Sequence, residues 1–353
     1  MALDVQAWSQ LGHAIFGGLV GLFANPLLYL AFAAMVWDVA KNAKYERRFF
    51  GVRVTKVWGP LLRRLILSFA LGLAFTVLAA LAGTIVRQNE MWIISGLTLL
   101  LAGIRLRFFA SAYSISLFLA VVLVNQFVPS LTSGTTFSRL GALLAQVHVA
   151  GWLGIAAAIF LAEALFLTLH RNAAATPAVV TTKRGRSIGA TVLQLPFIVP
   201  MLSVGAGSHV LPAWTPAMWP WLGTLAHGYT FVGAPFIVGF SAVLLAVPGT
   251  IAIRTTARWS LVTGLILAVD AYATHRFGAM YGWVGVVAAV AGRELPLWRL
   301  RKSENTAEPL FAPSPDGVRV LMTRPGSLAE SMPLLPAEVI THVNQVPVHS
   351  NYD

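Results

Sequence analysis

The chain has 353 residues, of which 57% are hydrophobic and only 11% charged, with a net charge of +12 and no cysteine. A soluble domain carries about 25% charged residues, so a chain this poor in charge must turn most of its surface to lipid. The missing cysteine excludes disulfides, thiolate catalysis and Cys-ligated metal, and the basic excess fits loops beside anionic lipid, with no nucleic-acid partner implied.

Residues 1–10 hold Asp4 and no Lys or Arg. A cleavable signal peptide needs a basic start, so the first apolar stretch, 11–37, is expected to stay as an anchor. Asn25-Pro26 in its middle predicts a kink or a re-entrant break. Gly17, Gly18 and Gly21 give it a small-residue face suited to packing within the chain. Residues 41–64 then carry eight basic side chains and one acidic one. This is the strongest topology signal in the chain, and it assigns the loop to the cytoplasm. Phe49, Phe50, Val52, Val54 and Trp58 lie among the charges, as in a segment resting on the bilayer. Arg47, Arg48, Phe49, Phe50 and Arg53 are therefore candidate docking or lipid-facing residues.

Further spans are predicted over 65–86, 91–104, 108–128, 141–169, 187–210, 222–253, 259–274 and 277–292. Arg105-Leu106-Arg107 reads as a tight cytoplasmic turn, and Arg171, Lys183, Arg184 and Arg186 place 170–186 on the same side. Residues 212–221 hold three Trp and three Pro, the composition of a rigid loop at the outer interface. This topology leaves only Arg87, Arg139 and Arg276 of the 25 Lys and Arg outside. The fold class expected is an α-helical polytopic membrane protein with about seven to nine transmembrane helices. It is expected to comprise a transmembrane domain over 1–292, a cytoplasmic linker over 293–315 and a β-rich segment over 316–353.

Catalytic chemistry is hard to find. No His is followed by Glu, so the His-Glu-x-x-His motif of zinc peptidases is missing. Ser208-His209 does not match the rhomboid Gly-x-Ser-Gly motif, and no phosphate-binding glycine loop is present. No enzyme activity, cofactor or metal site is expected. Intramembrane charge is costly and marks function by default. Glu163 and Asp270 are the candidates, with His148 and His227 also at span depth. Both carboxylates lie near span ends, where a paired or interfacial role is the first expectation.

The C-terminal segment carries a specific pattern. Gly317-Val318-Arg319-Val320-Leu321 is followed by a Pro-Gly turn, then by Leu334-Leu335-Pro336-Ala337-Glu338-Val339-Ile340 and Val343-Asn344-Gln345-Val346. It resembles the circularly permuted PDZ domain of bacteria. That resemblance implies peptide binding by strand addition, with the peptide's C-terminal carboxylate held by loop amides. Pro315-Asp316-Gly317-Val318 would be the carboxylate loop, and Val318, Arg319, Val320 and Leu321 the strand beside the peptide. Pro333 and Ala337 stand where the family pattern has glycine, and Asn344-Gln345 where it has Asn-Gly. The groove helix and closing strand of a whole module do not follow before Asp353, so the PDZ-like segment reads as incomplete.

The polytopic region, the early loop Glu46-Arg47-Arg48-Phe49-Phe50-Gly51-Val52-Arg53-Val54 and the PDZ-like tail together resemble the MinJ-type cell-division topology proteins of Gram-positive rods. Asn25-Pro26-Leu27-Leu28-Tyr29 fits the same pattern. The resemblance implies a membrane adaptor that links the polar scaffold DivIVA to MinD, which with MinC keeps FtsZ assembly to mid-cell. The expected partners are thus MinD-like and DivIVA-like proteins, peptide C-termini and anionic lipid. The competing reading is a transporter that uses Glu163 or Asp270 and carries a regulatory tail.

Overall fold

The computed structural model describes residues 5–51, 58–129, 132, 138–170, 175–181, 187–194, 196–210, 215–216, 218–225, 228–239, 241–323, 326–332 and 334–348. Arg53, Lys183, Arg184, Arg186, Trp214 and His227, candidates in the sequence, lie outside the described residues.

Helix α1 (Val5–Ala24) and helix α2 (Pro26–Phe50) meet at a 56° bend. Asn25 makes the bend. Its side-chain oxygen accepts from the Leu27 N–H at 3.0 Å and caps α2, while its amide donates to Ser95 Oγ at 2.8 Å. Pro26 then starts a helix, where its missing N–H costs nothing. Next come α3 (Trp58–Ala82), α4 (Gln88–Ile104), a single 3₁₀ turn over Leu106–Phe109, α5 (Ser111–Phe127), α6 (Ser138–Ala145) and α7 (Val149–His170). The helical hairpin α4–α5 turns at Arg105-Leu106-Arg107, as the sequence predicts. Among the described residues α3 and α7 are long and apolar enough to cross a membrane, and the bent pair α1–α2 makes a third.

Two expected helices are strands. In place of a span over 187–210 stand β2 (Ser187–Gln194), which pairs with β1 (Ala175–Thr181), and β3 (Phe197–His209). In place of the first half of 222–253 stand β4 (Tyr229–Val238) and β5 (Ser241–Leu244), and only then helix α8 (Gly249–Phe277). An apolar run does not by itself distinguish a buried helix from a buried strand. The residues weigh against helix without settling the matter: proline inside a helix costs about 3 kcal/mol, and Pro200 and Pro235 would each sit mid-span. Seven of the ten residues of β4 are Val, Ile, Phe, Tyr or Thr, which favour extended backbone.

The β3–β4 hairpin lies in the core, between α1 on one side and α3 on the other. A strand edge buried in a membrane protein must find internal partners for its backbone. Pro200 faces Pro235 across the ladder, so two positions simply lack an N–H. Thr76 Oγ1 of α3 accepts the Leu202 N–H at 2.9 Å, and Ser111 Oγ of α5 accepts the Ile237 N–H at 2.8 Å. The Val86 N–H donates to the Val204 carbonyl at 2.9 Å. Glycine lets the helices come this close. A Cβ on Gly72 would run into the Pro200 carbonyl, one on Gly18 into Phe231 and one on Gly233 into the Gly18 carbonyl. Gly21 lies against Gln88, while Gly17 meets nothing. The predicted small-residue face of α1 therefore packs inside the chain through Gly18 and Gly21.

Strands β1, β2 and β5 form a sheet in the order β1-β2-β5. Helix α8 runs back along α7, and α9 (Gly282–Thr306) packs on α8 and α5. Helix α9 passes through the expected boundary at 292/293 with Pro296 inside it, so the first half of the expected linker is helical. The chain then forms a small strand-containing region: β6 (Val318–Arg319), the short helix α10 (Leu328–Ser331), β7 (Val339–Ile340), β8 (His342–Val343) and β9 (Val346–Pro347).

Candidate functional site

The basic stretch predicted as a loop continues α2 as far as Phe50. Arg47 and Arg48 occupy its last turn, where cations meet the negative end of the helix dipole. Both are exposed. Phe49 is also exposed, and its ring lies 4.4 Å from that of Tyr45. Gly51 ends the helix with φ 66°, a left-handed conformation that suits glycine. The Tyr45 hydroxyl bonds both the carbonyl and the N–H of Val179 on β1, tying the basic end of α2 to the sheet. Four of the five candidate docking residues thus sit on one helix end, and Arg53 lies outside the described residues.

Glu163 and Asp270 occupy separate sites. Glu163, on α7, is 1% exposed. Arg293 of α9 donates to its Oε1 at 2.6 Å, and Ser260 of α8 donates to its Oε2 at 2.9 Å. The same guanidinium donates to the Gly239 carbonyl at 3.2 Å and lies over the Phe160 ring. One buried carboxylate therefore holds three helices together. A charge so paired and bonded is a structural cross-link, the arrangement that makes burial tolerable. Asp270, on α8, lies over Gly285 of α9, where a Cβ would collide with its carboxylate. It is buried, and among the described residues its Oδ2 has no hydrogen-bond partner, nor has Thr274 Oγ1 one turn on.

Thr274 also lines a cleft of about 210 Å³ together with Gln126, His148, Leu222, Gly223 and His275. His148 precedes α7, outside the span. Burial holds its pKa below the usual histidine value, and the charges of Arg87 and His275 add to that. At the opposite end of α7, Arg64 Nε of α3 donates to His170 Nε2 at 3.4 Å and its Nη1 is 3.8 Å from Asp38 of α2. Neither Arg64 nor Asp38 was legible as a site from the sequence, because their meeting depends on how α2 and α3 pack.

In the C-terminal region, Val318 pairs with Ile340 and Arg319 with Val339. The Val320 N–H donates to the Glu338 carbonyl, and the Ala337 N–H donates to that of Val320, both at 2.8 Å. Gly317 is buried against Ile340, and Val318, Arg319, Val320 and Leu321 are half-buried. Ala337, standing where the PDZ pattern has glycine, takes φ 77°. Asn344 and Gln345 take φ 50° and 68°, the two left-handed positions of a type I′ hairpin. The backbone thus adopts the turn although Gln345 stands at a position that favours glycine. Leu321 and Phe311 do not stand free: both reach Gly189 of β2.

Sequence reasoning missed Arg293 as the partner of Glu163, since 130 residues separate them. It also missed Tyr45 and the hydroxyls of Thr76 and Ser111. The last two carry a weak signal, as hydroxyls on apolar helices facing an extended apolar run.

No family model and no solved structure matches the chain. It is similar to the cell division topological determinant MinJ of Bacillus subtilis, at 25% identity over 337 residues that cover 94% of this chain and 82% of that protein. The similarity to that protein thus runs over nearly the whole length of the chain.

Proposed function

We propose that the protein is a membrane-embedded adaptor in division-site selection. It recruits cytoplasmic partners through the basic end of α2 and through the C-terminal strands, acting as a PDZ-like module over 316–353. The likeness to a cell division topological determinant over 94% of the chain carries this reading. By that likeness the partners are proteins of the MinD and DivIVA kind. The C-terminal region sits in the cytoplasm, together with the basic loops. Arg47, Arg48, Phe49, Phe50 and Arg53 meet anionic headgroups or an acidic partner. Gly317, Val318, Arg319, Val320 and Leu321 form the peptide-receiving strand.

The pairing of Glu163 favours this reading over transport. A carboxylate bonded by Arg293 and Ser260 at 1% exposure is spoken for. A fluorescent fusion of the full chain, expressed in its own host, tests the proposal. Enrichment at septa and poles is expected; an even distribution along the membrane overturns it.

A further inference from the structure

Glu304 lies in the last turn of α9 and reaches the loop between β5 and α8. Three consecutive backbone N–H groups converge on its carboxylate. Leu245 donates to Oε2 at 2.6 Å, Ala246 donates to both oxygens at 3.0 and 3.2 Å, and Val247 donates to Oε1 at 2.8 Å. Such a concave run of amides recognises an anion without any basic side chain, and hydrogen bonds to a charged acceptor are about twice as strong as neutral ones. The amides precede Pro248, the residue that caps α8, so the loop itself makes the site.

The chain beyond Glu304 is held at the same place. The Leu310 N–H donates to the Leu245 carbonyl at 2.8 Å, so Leu245 grips the chain through both of its backbone groups. Arg319 Nη1 donates to the Leu310 carbonyl at 2.7 Å, and Phe311 and Leu321 close over Gly189 of β2. We infer that residues 245–247 form a carboxylate-binding site which Glu304 fills in cis, and that this contact docks the C-terminal region on the β1-β2-β5 sheet. Its ligand class is a carboxylate presented at the end of a helix. Whatever 318–321 bind, the face of Leu321 that rests on Gly189 is covered while the site is filled.

Hydrogen–deuterium exchange on the full chain in lipid nanodiscs tests the inference. In Glu304→Gln and Glu304→Ala, exchange is expected to quicken roughly tenfold or more in both 241–248 and 307–323, with α7 unchanged as the control for folding. Sodium acetate added to Glu304→Ala is expected to restore protection at 241–248 but not at 307–323, because a free carboxylate fills the site without tethering the chain. Sodium chloride at the same ionic strength should restore neither. Gly189→Leu should free 307–323 and leave 241–248 protected. The inference is overturned if 307–323 stay protected in Glu304→Ala, or if chloride protects 241–248 as well as acetate does.

Discussion

Glu163 shows how one residue fixes a helix interface. Its carboxylate, 1% exposed, binds Arg293 and Ser260 on two other helices. Removing one partner of such a pair strands the other charge in the interior, at a cost of about 3–5 kcal/mol. Glu163→Gln should therefore lower the thermal midpoint sharply in detergent. A double change of Glu163 and Arg293 to Met should recover most of the loss, since apolar pairs of similar volume replace buried ion pairs at little cost. Recovery would separate a structural pair from a functional one. His148 gives a pH test. Its folded pKa lies below the unfolded value because burial opposes the imidazolium, with Arg87 and His275 adding like charge. The unfolded chain then takes up this proton first, so its contribution is full above the ordinary value near 6.5 and is lost as pH falls below it. The wild type should lose more stability than His148→Gln between about pH 7.5 and about pH 5.5; equal losses would remove His148 from the account.

At the scale of elements, the hairpin β3–β4 depends on helices for its edge hydrogen bonds. Thr76 caps Leu202 on one edge and Ser111 caps Ile237 on the other. Each hydroxyl removed leaves a buried N–H unpaired, worth about 1–3 kcal/mol. Thr76→Val and Ser111→Ala should each destabilise by that amount in chemical denaturation, while Thr76→Ser, which keeps the hydroxyl, should not. Pro200 and Pro235 fit the same logic, since facing each other they present no N–H to satisfy.

For the molecule as a whole, the charge distribution defines an orientation to be tested. The chain has no cysteine, so single substitutions report sidedness without background labelling. Lys44→Cys and Arg301→Cys should react with a membrane-impermeant maleimide only after lysis, and Met218→Cys in intact cells. Labelling of all three in intact cells would contradict the cytoplasmic assignment of the basic loops. Both Lys44 and Arg301 lie on helices whose basic ends were expected to be loops, α2 and α9. The extension of these helices brings Tyr45 to β1 and Glu304 to the Leu245 loop.

The sequence by itself determined what is local or compositional. Low charge made a membrane protein, Asn25-Pro26 made the bend because a cap and a missing N–H act within two residues, and Arg105-Leu106-Arg107 closed a helical hairpin. The strand–turn pattern of 317–348 was legible for the same reason, even where Ala337 and Gln345 hold left-handed positions. The tertiary structure decided the rest. Whether 197–209 and 229–238 become helices or strands turns on Thr76, Ser111, Gly18 and Gly72 being there to satisfy and admit them, and those residues lie far away in the chain. Likewise the role of Glu163 depends on Arg293, 130 residues on. An apolar run states only that it is buried; the partners of its backbone and of its charges are fixed by what packs against it.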